Sequence, residues 1–140
     1  GSTVAASVAG IDTTHDLAVL TIEATGLLPV RVGTTDGLEV GDPVIAVGNP
    51  LGLEGGPSVT TGVVSALGRV LEDSVLSLND IIQTDAAITE GSSGGALLDG
   101  EGRLIGVTTA VGVSSVGVEG IGYAIPVETV SSVVAGLMAS

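Results

Sequence analysis

The sequence has no cysteine, no phenylalanine, no tryptophan and no lysine. Without cysteine, disulfide frameworks and thiolate metal sites are excluded, and the redox compartment is left open. Tyr123 is the sole aromatic residue, so the stacking platforms that hold single-stranded nucleic acid are missing. Three basic residues, Arg31, Arg69 and Arg103, stand against 16 acids, for a net charge of −13. A chain this acidic repels phosphate backbones and anionic membrane surfaces. Neither nucleic acid binding nor membrane insertion is expected, because no run approaches the roughly 18 apolar residues of a membrane span. One histidine and scattered acids give no metal-ligand spacing, and the glycine-rich stretch from Gly52 to Gly56 lacks the Lys-Ser/Thr of a phosphate loop. No metal and no cofactor is therefore expected.

What remains is aliphatic. The 140 residues are 44% hydrophobic with mean hydropathy +0.68, almost all Val, Leu, Ile and Ala. That is enough for one domain with its own core. Gly1-Ser2 reads as the remnant of a cleaved tag. Period-two patterns predict strands near Thr3–Ile11, Leu17–Glu23, Val30–Val32, Pro43–Gly48, Ser58–Leu67, Ile81–Asp85, Ala96–Leu98, Leu104–Thr109 and Tyr123–Ile125. Asp99-Gly100-Glu101-Gly102 forms a hairpin turn, and Arg69–Asp80 is expected as a loop. After Pro126, the spacing of Val127, Val130, Val133, Val134, Leu137 and Met138 predicts a helix, with Glu128 in its first turn where the macrodipole favours an anion. Short strands with polar turns indicate an all-β barrel or sandwich. A seam near Gly33–Gly41 separates two strand groups.

The segment Gly91-Ser92-Ser93-Gly94-Gly95 links two apolar runs. Its glycines permit tight or left-handed backbone, and its amides can turn inward as donors to a developing oxyanion. One central hydroxyl, Ser93, stands among them, as a serine nucleophile requires. Gly/Ser loops are also common turns, so this segment alone leaves both readings open.

Several stretches in order narrow the choice: Asp16 to Leu20, Gly41 to Leu53, Ser58 to Ala66, Ile82 to Ile88, the Ser93 loop and Gly120 to Pro126. Together they closely resemble the HtrA/Deg-type trypsin-like serine proteases, over nearly the whole chain. The resemblance implies a trypsin-like antiparallel β-barrel fold with a C-terminal α-helix: a partial first barrel over residues 1–39, and a complete second barrel plus helix over residues 40–140. It implies Ser93 as nucleophile, Asp16 as the triad acid, and an oxyanion hole from the amides of Gly91 and Ser93 with that of Ser92 close by. Ala87, six residues before Ser93, would lie at the base of the primary specificity pocket. Thr108, Thr109, Ala110, Ile121 and Tyr123 would supply its walls. An uncharged base leaves a buried Lys or Arg unpaired, so cleavage after small aliphatic residues is implied. Ser92, where trypsin has Asp, removes the activation switch that uses a new N-terminus. Periplasmic or extracellular residence is likewise implied.

The resemblance has a gap. A triad needs a histidine, and the one present, His15, adjoins Asp16; neighbouring strand residues face opposite ways. The family's Thr-Ala-Ala-His type motif has no counterpart here. His15 is read as a surface residue at a strand start, and the chain as one without the first strands of its first barrel. The expected partner, besides a polypeptide substrate or peptide, is a complementing N-terminal fragment or a second copy in a homo-oligomer, since incomplete barrels expose pairing edges. A catalytically silent module that binds peptides by strand addition, or a purely structural barrel, remain the alternatives.

Overall fold

The computed structural model describes residues 3–50, 55–72, 74, 76–89, 91–109 and 120–140. β1 (Ala6–Asp12) and β2 (Leu17–Ile22) form a two-stranded antiparallel sheet. Six strands then close a barrel: β3 (Pro43–Gly48), β4 (Ser58–Glu72), β5 (Ser77–Thr84), β6 (Ala96–Asp99), β7 (Leu104–Thr109) and β8 (Gly122–Pro126). The order around the barrel is β3-β4-β5-β8-β7-β6, all antiparallel, with β6 returning to β3. Closure leaves no unpaired edge. The helix α1 (Val127–Met138) follows β8 directly.

Alternation explains the barrel strand by strand. Along β3, Val44 and Ala46 turn inward, while Pro43 sits at the first position, where its missing N–H costs no ladder bond. Val44, Ala46, Val64, Ile82, Ala86, Leu97, Ile105 and Ala124 fill the interior. A second cluster lies outside the barrel wall: Leu71, Leu78, Ile81 and Ile125, joined by Leu17 of β2 and Val130 of α1. The helix thus packs on the barrel and on the β1–β2 sheet together. At Gly10 of β1, an added Cβ would lie 3.1 Å from Leu137 of α1, so glycine there lets the helix approach. The all-β barrel, its partial companion sheet and the terminal helix match the expected fold class.

Two expectations change. Val30–Val32 forms no strand; Val32 makes an isolated parallel bridge to Leu104, with Leu104 N–H donating to Arg31 O and Gly33 N–H to Leu104 O, both 2.8 Å. The segment joining the sheet to the barrel is stitched along β7 in this way. Arg69–Asp80 is not one loop, because β4 continues to Glu72 and β5 begins at Ser77.

Proline caps α1 without a side-chain bond, and Glu128 takes up another task. Its carboxylate accepts Thr35 N–H at 2.7 Å, the Thr35 hydroxyl at 2.8 Å and the Thr34 hydroxyl at 2.9 Å. Burial alone would raise the Glu128 pKa, but these bonds outweigh it, and the pKa lies below its ordinary value. A depressed folded pKa stabilises above the unfolded value and is lost as pH falls toward the folded one. Glu128→Gln is expected to cost about 1 kcal/mol at neutral pH, allowing for solvent exposure. Thermal melts should show that difference shrinking below the ordinary Glu pKa of about 4.3.

Candidate active site

The Ser93 loop is held from below by β7. Thr108 is buried, 3% exposed. Its hydroxyl donates to Ser92 O at 2.8 Å, its carbonyl accepts Gly94 N–H at 2.8 Å, and its N–H donates to Gly95 O at 2.9 Å. Gly95 N–H closes a turn onto Ser92 O at 3.0 Å. Gly91 and Gly94 take positive φ, 88° and 86°, where glycine is favoured. Ser93 itself is exposed, and its hydroxyl has no bonding partner among the described residues.

Asp16 sits in the turn between β1 and β2 with φ of 57°, a left-handed conformation that Asp tolerates better than most residues. Its Oδ2 accepts the Thr109 hydroxyl at 3.0 Å. Adjacent residues of one strand end therefore reach two different groups. Thr108 faces the Ser93 loop and Thr109, on the opposite face, reaches Asp16. His15 turns elsewhere: its N–H donates to Asp12 Oδ1 at 2.9 Å and its Nδ1 lies 3.0 Å from Asp12 Oδ2, with the His15 side chain 43% exposed. The His15 side-chain bond, followed by its backbone bond, holds the Asp12 carboxyl below its usual range.

The residues expected around the specificity pocket divide. Ala87 and Thr108 line a cavity of about 160 Å³ with Gly48, Thr60, Ile88 and Ser92, and Thr60 donates its hydroxyl to Ala87 O at 2.8 Å. Thr109 is absent from that lining and serves Asp16 instead. Tyr123 packs with the outer cluster around Ile125 and Leu17, since Gly122 and Ala124 take the inward face of β8. Ile121 is half-buried, and Ala110 lies outside the described residues, as does Glu90. The Ser92 N–H, expected close by the oxyanion donors, is bonded to Thr89 O at 2.9 Å. Asp85 is a structural acid, accepting Val63 N–H at 2.7 Å. Among the described residues no group of three or more His, Cys, Asp or Glu is placed to hold a metal, and no helix is long and apolar enough to cross a membrane.

Residues 1–107 match the model of the trypsin-like peptidase domain. That match spans most of the chain, and the chain belongs to the trypsin-like peptidase family. Its relatives place it among the HtrA/DegP/Do-like serine proteases. It is 46% identical over 133 residues to protease Do-like 1, chloroplastic, of Arabidopsis thaliana, covering 92% of this chain and 30% of that protein. It is 44% identical over 141 residues to serine protease PepD of Mycobacterium tuberculosis, covering 91% and 30%. The solved structure of the HtrA-type protease AlgW with a decapeptide superposes with TM-score 0.86 at 43% identity, over 96% of this chain and 40% of that one. The chain spans about a third of the length of the curated relatives it matches.

Proposed function

We propose that this domain carries the nucleophile and acid of an HtrA-type serine endopeptidase that cleaves after small aliphatic residues. The observation that carries this reading is the end of β7, where Thr108 braces the Ser93 loop and Thr109 binds Asp16. Ser93 is the nucleophile, the Gly91 and Ser93 amides are the oxyanion donors, and Asp16 orients an imidazole. The uncharged cavity beside Ala87 supports a small aliphatic preference.

His15 is committed to Asp12, so the base comes from elsewhere. The β1–β2 sheet leaves Val8, Ile11 and Leu20 about 60% exposed, a face suited to further strands. An imidazole-bearing segment of the same protein supplies the base by pairing along that sheet. By itself the chain is a poor catalyst, because a serine hydroxyl without its base is weakly nucleophilic. The substrate is a polypeptide, and a related protease has been solved with a bound decapeptide. Periplasmic or extracellular residence is the proposed location; relatives are named for the periplasm and for the chloroplast.

A fluorophosphonate probe read by intact mass tests the site. Ser93 labelling is expected to be slow in the chain alone and to rise when free imidazole is supplied as the base. Ser93→Ala abolishes labelling, and His15→Ala changes the rate by less than about twofold, since His15 has no role in the step. If the folded protein stays unlabelled even with imidazole, the silent peptide-binding reading replaces this one.

A further inference from the structure

Ser92 and Ser93 share one peptide bond, and a trans peptide points its C=O and N–H in opposite directions. The Ser92 C=O is held inward by two donors, the Thr108 hydroxyl at 2.8 Å and Gly95 N–H at 3.0 Å. The Ser93 N–H therefore points away from Thr108, toward the exposed side where the Ser93 hydroxyl stands. Rotation of this peptide would bring a carbonyl oxygen to the place where an oxyanion forms, replacing a donor with a repulsive dipole. The Gly95 bond closes a four-residue turn within the loop, and Gly95 is itself held to β7 through its carbonyl. The Thr108 hydroxyl is anchored in the barrel, on a side chain that is 3% exposed, and fixes that peptide relative to the rest of the molecule.

We propose that Thr108 is a positioning residue for the oxyanion hole, acting through its hydroxyl on the Ser92 carbonyl. This rests on the reading of Ser93 as the nucleophile. The neighbouring Thr109 orients the acid, so two consecutive hydroxyls on opposite faces of β7 set the two halves of the site. Thr108 also lines the cavity beside Ala87, but the role proposed for its hydroxyl runs through the Ser92 carbonyl. Its contribution lies in presenting a preformed donor, so that no peptide needs to reorient as negative charge develops.

Thr108→Val keeps the β-branched shape and removes the hydroxyl; Thr108→Ser keeps the hydroxyl and removes the methyl. Two readouts compare them with the parent chain: amide exchange at Gly94 and Gly95, and the rate of imidazole-supported fluorophosphonate labelling at Ser93. Thr108→Val is expected to speed exchange and slow labelling, each by about tenfold, the ratio that ~1.4 kcal/mol produces. Thr108→Ser should restore both to within about threefold of the parent. Val and Ser variants impaired alike would overturn the proposal in favour of methyl packing, and a Val variant matching the parent in both readouts would overturn it outright. If the parent itself does not label, the nucleophile reading fails; the exchange comparison still decides whether the hydroxyl holds the loop, and loss of protection restored by Ser would support that hold.

Discussion

Leu97→Ala is expected to destabilise the protein by about 3–4 kcal/mol, near the middle of the range for buried leucines. Leu97 is fully buried at 0% exposure, in the barrel interior. Its strand partners are Ala46 on β3 and Gly106 on β7, and Ala124 is in the same cluster. These neighbours are small and cannot swing into a vacated volume. A core without phenylalanine or tryptophan fills its space with many short aliphatic side chains, so each must fit closely and each deletion leaves an unfilled gap. Denaturant melts should show a lower midpoint with an unchanged slope. Leu28, 96% exposed, is the contrast: Leu28→Ala should stay within about 0.5 kcal/mol of the parent.

Short β-branched runs bounded by turn residues could be read directly. The runs Pro43–Gly48 and Leu104–Thr109 gave β3 and β7 with the same bounds, because short stretches rich in Val, Ile and Thr follow directly on turn residues. The β4–β5 hairpin was harder. Its pairing shifts register between Val64 and Ala66, between Ala66 and Arg69, and between Arg69 and Leu71. Each shift resets the period of two, so the run past Leu67 carries no alternation to count. Val30–Val32 failed for the opposite reason. Its β-branched residues suit a strand, but Val30 and Val32 are 48% and 63% exposed, and no sheet is there to receive them beyond the Val32 bridge.

The candidate site divides along the same line. Ser93 and its glycines are a local motif, and the short loop declares them. The bond from Thr109 to Asp16 spans 93 residues, and nothing local distinguishes that threonine from a pocket wall. The resemblance places both threonines at the end of β7 in the walls of the pocket. A strand turns consecutive side chains to opposite faces, so the two hydroxyls reach different groups. The spent amide of Ser92 depends on a turn back to Thr89 O, a detail of backbone geometry that residue types do not encode. Adjacency sets His15 apart from Asp16, and its link to Asp12 is a local contact three residues back along the chain.

Gly95→Ala is expected to cost about 3 kcal/mol, the upper end for overpacking, and to reduce Ser93 labelling about a hundredfold or more through loss of the oxyanion geometry. A Cβ at this position would press on Val47 O across β3, 2.9 Å from Ser92 O and 3.2 Å from Gly48 Cα. These are backbone atoms, and no side chain can rotate away to make room. Gly95 cannot retreat either, because its N–H is bonded to Ser92 O and its carbonyl to Thr108 N–H. Relief has to come from lifting the loop off β7, which breaks the bonds that face Thr108. Gly94→Ala separates space from conformation. An added Cβ at Gly94 meets nothing within 4 Å, but φ is 86°, so the cost is backbone strain of about 1–2 kcal/mol. Gly94→Asn should recover part of that, since Asn tolerates left-handed backbone. Thermal melts and probe labelling on the three variants give the order Gly95→Ala, Gly94→Ala, Gly94→Asn from most to least impaired. Equal damage from both alanine variants would mean that the loop is limited by its conformation and not by its contact with β3.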